Sequence, residues 1–92
     1  MPLSDSEIAA ALRSIPGWKH SGKAIERTFK FPDFKAAMAF VNRIADAAEK
    51  ADHHPDIAIH YNQVTLSLWS HDSGGVTMRD LKMAARINEL QP

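Results

Sequence analysis

The spacing of apolar residues changes period along the chain, and each change marks an element. Ser4-Asp5-Ser6-Glu7 opens it, with Ser4 and Glu7 at capping-box spacing. Ile8, Ala11, Leu12 and Ile15 then recur at helical intervals, and Pro16-Gly17 ends the run. From Ile25 the period falls to two. Ile25, Arg27, Phe29 and Phe31 alternate with Glu26, Thr28 and Lys30, which predicts a strand paired through a Ser21-Gly22 turn with a short extended piece beginning at Trp18. Pro32-Asp33 stops that strand, and Asp33 can cap a helix. Between Phe34 and about Ala51 a stripe of Phe34, Ala37, Met38, Val41, Ala45 and Ala48, widened by Phe40, Ile44 and Ala47, predicts a long helix. Its wet edge is Asn42, Asp46, Glu49 and Lys50. A helix apolar on two sides calls for a second partner besides a sheet, such as another subunit. After Pro55, Ile57, Ile59 and Tyr61 alternate with polar or small residues. Asn62-Gln63 is the expected hairpin turn, and Val64, Leu66 and Leu68 alternate with Thr65, Ser67 and Trp69. Ser73-Gly74-Gly75 is a loop. Thr77, with Asp80 three residues on, caps a last helix carrying Leu81, Ala84, Ala85 and Leu90, with Ile87 beside them.

The order α-β-β-α-β-β-α, with both strand pairs joined as hairpins, predicts an α+β fold: a four-stranded antiparallel sheet with three helices on one face. No linker, repeat or low-complexity segment divides the chain, so residues 1–92 are expected to form a single domain.

Composition narrows the function classes. Eleven basic side chains balance eleven acidic ones, which argues against direct nucleic-acid binding. The absence of cysteine fits a cytoplasmic protein better than a small secreted scaffold. Met1-Pro2-Leu3-Ser4-Asp5 does not read as a signal peptide, and no apolar stretch nears the ~20 residues of a membrane span.

Candidate chemistry concentrates in Ala51-Asp52-His53-His54-Pro55-Asp56, where two adjacent histidines stand at a helix-to-strand corner. Imidazoles change charge near neutral pH, so the pair suits general acid/base work; a polar, solvent-facing loop is the plain alternative. Pro55 biases His54 toward extended geometry. His71 ends the fourth strand on the face opposite Val64, Leu66 and Leu68, and the short hairpin turn sets Pro55 level with it. Two separated histidine sites would then form one. Asp80 reads either as half of a capping box or as a carboxylate that orients a histidine. Glu49, one helical turn before His53, either faces the same cleft or is a solvated helix-end carboxylate. His60 reads as a strand residue facing solvent or an interface, and His20 as incidental. Three histidines and several carboxylates raise a zinc site, but His-x-x-x-His and Cys-x-x-Cys spacings are both missing and no metal is expected. Gly74-Gly75 matches no phosphate-cradling loop.

Taken together, these residues resemble the pterin-4a-carbinolamine dehydratase family. The resemblance rests on Glu49, His53-His54-Pro55, Tyr61, His71 and Asp80 at the family's spacing. It is supported by Trp18 after Gly17, by Phe31-x-Asp33-Phe34 at the start of the long helix, and by the Ser73-Gly74-Gly75 loop, and it covers nearly the whole chain. Trp69 departs from the small hydroxyl residue that some members have there. The resemblance implies dehydration of 4a-hydroxytetrahydrobiopterin to quinonoid dihydrobiopterin and water, without metal or organic cofactor, in recycling of the pterin used by aromatic amino-acid hydroxylases. It implies that His53 and His71 transfer protons to the hydroxyl, that His54 holds the pterin or serves as a base, and that Asp80 orients or polarises a histidine. Asp52, His53, His54, Pro55, Trp69, Ser70, His71 and Asp72 would bind the substrate, with Glu49 and Trp18 as further contacts. It also implies a homodimer or homotetramer. The alternative is a protein-interaction module on the same fold, since animal members act as dimerisation cofactors of a homeodomain transcription factor.

Overall fold

A computed structural model describes residues 1–92. Helix α1 (Asp5–Leu12) starts at a complete capping box: Ser4 Oγ accepts the Glu7 N–H at 3.2 Å, and Glu7 Oε1 accepts the Ser4 N–H at 2.8 Å. Hydrogen bonds that Ser4 offers the Glu7 carboxylate, from the backbone N–H first and then the side chain, hold that carboxyl below the ordinary glutamate range. Only Ile8 of this helix is fully buried.

Strands β1 (Lys19–Ser21), β2 (Ala24–Lys30), β3 (Asp56–His60) and β4 (Gln63–Leu68) form one antiparallel sheet in the order β1-β2-β4-β3. Period-two alternation puts Ile25, Phe29, Val64, Leu66 and Leu68 on one face, where all are buried. Thr28 and Thr65 oppose each other on the other face, with their hydroxyl oxygens 2.8 Å apart. Helices α2 (Phe34–Ala51) and α3 (Met78–Leu90) lie over the apolar face, completing the α-β-β-α-β-β-α order. Asp33 Oδ1 caps α2 by accepting the Ala36 N–H at 2.8 Å.

Four details differ from the sequence reading. The seam of α2 is Ala37, Phe40, Ile44 and Ala48, while Phe34 and Ala45 are exposed. The large rings decide this rotation: Phe40 packs on Phe29 and Phe31 at centroid distances of 4.8 and 5.0 Å. Full burial of such a side chain is worth about 1.5–3 kcal/mol. The β3–β4 hairpin turns at Tyr61-Asn62, one residue earlier than expected, because His60 pairs with Gln63. Tyr61 takes φ 51, and Asn62 clamps the turn to Phe31 by accepting its N–H at 2.8 Å and donating its side-chain amide to its carbonyl at 2.9 Å. That register carries Pro55 level with Leu68 rather than with His71. His71 itself lies beyond β4, in the turn closed by the Ser70–Gly75 bridge, not at the strand end.

Strand β3 is a sheet edge exposed along its whole length, with Ile57 and Ile59 about 40% accessible on the otherwise covered face.

Candidate active site

The site forms where α2 ends, α3 begins and the 71–74 turn overhangs both. Helix α2 stops because Asp52 adopts φ 50, and its carbonyls are satisfied by Asp52 N–H to Glu49 O (3.3 Å) and His53 N–H to Ala48 O (3.2 Å). This Schellman-type ending reverses the chain within one residue and delivers His53 inward. Ser70 organises the opposite wall. Its N–H donates to Gly75 O at 2.9 Å, while its carbonyl accepts from Ser73 and Gly74 N–H at 3.1 and 2.9 Å, which pins the turn carrying His71 and Asp72.

Asp80, fully buried in the first turn of α3, joins these pieces. Its Oδ1 lies 2.5 Å from His53 Nε2, and its Oδ2 accepts the Ser70 hydroxyl at 2.9 Å and the Thr77 N–H at 2.8 Å. An ionised carboxylate can only accept, so His53 Nε2 donates and Nδ1 is the nitrogen left for a ligand in the neutral ring. Both readings of Asp80 therefore hold geometrically: one oxygen caps the helix while the other holds the histidine. His54 turns outward, and its Nε2 lies 2.5 Å from Glu49 Oε2 in a solvent-exposed pair. His71 is exposed beside Trp69, with ring centroids 3.9 Å apart and planes at 32°.

A cleft of about 360 Å³ is lined by Asp52, His53, His54, Trp69, Ser70, His71, Asp72 and Arg79. The structure thus brings together residues that are distant in sequence. Ser70 contributes mainly from behind, since its hydroxyl is committed to Asp80. Glu49 reaches the site only through His54, and Pro55 is buried and does not line the cleft. Trp18 does not join it. Its ring packs edge-on to Phe29, and its Nε1–H donates to Asn88 Oδ1 at 2.9 Å. Asn88 Oδ1 also accepts from Arg27 at 2.8 Å, so Trp18 belongs to a hub tying β2 to the end of α3. Burial of this hub pushes the Arg27 guanidinium below its ordinary pKa.

Arg79 belongs to no motif legible in the sequence. Its guanidinium donates to Asp52 O at 3.2 Å and lies 3.8 Å from Asp72 Oδ2, bridging both walls. A signal existed: a cation in the first turn of a helix opposes the helix dipole and calls for a reason. Nowhere do three or more histidine, aspartate or glutamate side chains converge closely enough to hold a metal ion. No helix is long and apolar enough to cross a membrane.

Comparison with known proteins converges on one family. The family model described as pterin 4 alpha carbinolamine dehydratase matches residues 1–90. A relative from Koribacter versatilis that carries the dehydratase name is 61% identical over 98% of this chain and 96% of its own. One from Thermomicrobium roseum with the same name is 52% identical over 96% of this chain and 95% of its own. A crystal structure from Brucella melitensis, described as a transcriptional coactivator/pterin dehydratase, superposes with a TM-score of 0.95 at 41% identity, covering 100% of both chains. A pterin dehydratase-like protein described as a RuBisCO assembly factor in the alpha-carboxysome shares the fold alone, with a TM-score of 0.66 at 20% identity over 79% of this chain and 84% of its own.

Proposed function

Because the chain belongs to the pterin 4 alpha carbinolamine dehydratase family, whose members are hydro-lyases, we propose that it converts 4a-hydroxytetrahydrobiopterin to quinonoid dihydrobiopterin and water by histidine general acid/base catalysis. In this step the C4a–O bond breaks as the oxygen takes up a proton and leaves as water. N5 gives up its proton, and the C4a–N5 double bond forms. One proton is gained and one lost, so the step is redox-neutral and needs no oxidant or reductant.

The observation that carries this reading is the buried Asp80–His53 pair opening on a cleft that His54 and His71 also line. A hydroxide is a poor leaving group, and an imidazole with a pKa near 6.5 in water can both give and take a proton near pH 7. His53 and His71 serve the departing hydroxyl. His54, steadied by Glu49, holds the pterin and is the base candidate for N5. Asp80 acts through His53, as a positioning residue. The His71–Trp69 pair offers flat surface to a bicyclic ring.

His53→Ala and His71→Ala are each expected to lower the catalysed dehydration rate by about 10²–10⁴-fold. Stopped-flow absorbance with a freshly formed 4a-hydroxypterin measures the rate, and circular dichroism checks the fold. Full activity in both variants would remove these histidines from the mechanism.

The bare edge of β3 supports a second statement, that the chain works as a homo-oligomer. An exposed strand with free backbone groups and two accessible isoleucines favours antiparallel addition of the same strand from a second copy. A regulatory protein partner remains the competing occupant of such a surface, and the homeodomain-type role of animal relatives belongs to that alternative.

A further inference from the structure

A groove of about 610 Å³ between α2 and α3 is larger than the histidine cleft beside it. Arg43 donates to Leu90 O at one end and Arg79 to Asp52 O at the other, so the two helices run antiparallel along it. Five of the chain's eleven basic side chains line it: Arg43, Lys50, Arg79, Lys82 and Arg86. Asp46 is the one acidic residue among them. Arg86 also lies 3.4 Å from Glu89, and Arg79 3.8 Å from Asp72, whereas Lys50 and Lys82 have no carboxylate within ion-pairing distance.

The fold accounts for only part of this charge. Lys50 and Arg79 sit at the negative end of the α2 dipole, which accounts for those two. Lys82 and Arg86 gain nothing from it, and the spacing of Arg79, Lys82 and Arg86 stacks like charges along one face of α3, which weakens a helix. In a chain of zero net charge, nearly half the cations gather on one groove with an apolar floor that includes Ala47, Met83 and Leu90. The volume lies in the range of small-molecule sites. The groove also shares two walls, His53 and Arg79, with the histidine cleft.

We propose that the α2–α3 groove binds an ionised side chain of the pterin substrate, a phosphate ester or a carboxylate chain. The ring would lie in the histidine cleft and the tail would run past Arg79 along the cation row. From Lys50 to Arg43 that row spans roughly 10 Å at about 1.5 Å per helical residue, enough for several anionic groups in line. Guanidinium groups suit both phosphate and carboxylate oxygens. This rests on the dehydratase reading for the ring chemistry and replaces the uncharged tail of its substrate with an anionic one.

The test compares three 4a-hydroxypterins that differ only at C6: an uncharged dihydroxypropyl tail, its phosphate ester, and a glutamyl chain. Steady-state dehydration and calorimetric binding of the matching reduced pterins are measured for the wild type and for Lys82→Gln/Arg86→Gln, two exposed positions whose replacement leaves the core untouched. At least one anionic pterin is expected to show a kcat/KM about tenfold or more above the uncharged one, through KM. The double variant is expected to lose that advantage while handling the uncharged pterin as before. The arm that shows the preference identifies phosphate or carboxylate as the tail. Equal values for all three pterins, or a preference that survives the double substitution, overturns the groove while leaving the dehydratase reading intact. Turnover of none of the three overturns both.

Discussion

Asp80 spends one carboxylate on three neighbours. With 0% of its surface exposed, it would be costly to leave unpaired, and His53, Ser70 and the Thr77 N–H together satisfy it. Two effects therefore separate on substitution. Asp80→Ala orphans buried donors, at about 1–3 kcal/mol for each one left without a partner, and is expected to lower the melting temperature sharply. Asp80→Asn keeps the size and much of the bonding but no longer offers His53 a carboxylate. Its kcat is expected to fall by about 10²-fold with little change in KM and with a displaced pH–rate profile. An Asn variant with wild-type kcat and an unmoved profile would leave Asp80 only its structural role. At this scale the sequence was informative about residue types and uninformative about allegiance. The spacing from Thr77 announced a cap, but nothing local to Asp80 says that its other oxygen meets a histidine 27 positions earlier. Trp18 illustrates the converse. It follows Gly17 as the family pattern has it, yet its indole N–H is held by Asn88, far along the chain.

Element ends do the aiming. Asp52 lies in the left-handed region, which costs a residue with a side chain roughly 1–2 kcal/mol, less for aspartate than for a branched side chain. Asp52→Gly is expected to keep or slightly raise thermal stability, because glycine adopts φ 50 freely while the Asp52 carbonyl stays available to Arg79. Asp52→Val should lower stability by at least about 1 kcal/mol in urea unfolding, and it should loosen the His53 side of the cleft. Equal stability of the two variants would mean that the turn is not strained. Element types and their order were legible from periodicity alone, as were all three helix N-termini, since Ser4, Asp33 and Thr77 stand where capping chemistry puts them. The hairpin turns one residue earlier than the spacing predicts, because Tyr61 is not a usual left-handed residue. The clamp of Asn62 on Phe31, between segments about thirty residues apart, is what holds it there.

For the whole molecule, the open edge is the main unbalanced feature. Ile57 and Ile59 face the side of the sheet that the helices cover elsewhere, yet both remain accessible. If β3 edges pair across a two-fold axis, sedimentation equilibrium gives a mass at least twice 10.2 kDa. Ile59→Lys, which puts a charge into that junction, is then expected to shift the protein toward monomer at micromolar concentration. A monomeric wild type would remove the homo-oligomer and leave the edge to a different partner.

Taken alone, the sequence determined the α-β-β-α-β-β-α order, the apolar face of the sheet and the residue types gathered around His53 and His54. Those properties are written in short-range spacing and capping chemistry, which one chain segment carries by itself. Only the tertiary structure decided that α2 turns Phe40 and Ile44 inward and that Trp18 leaves the site for the Asn88 hub. It alone showed that Arg79 closes the cleft, and that cations from two helices line one groove beside His53. Each of these depends on contacts between distant segments, where side-chain size and competition for buried hydrogen bonds choose among arrangements that the local pattern leaves equal.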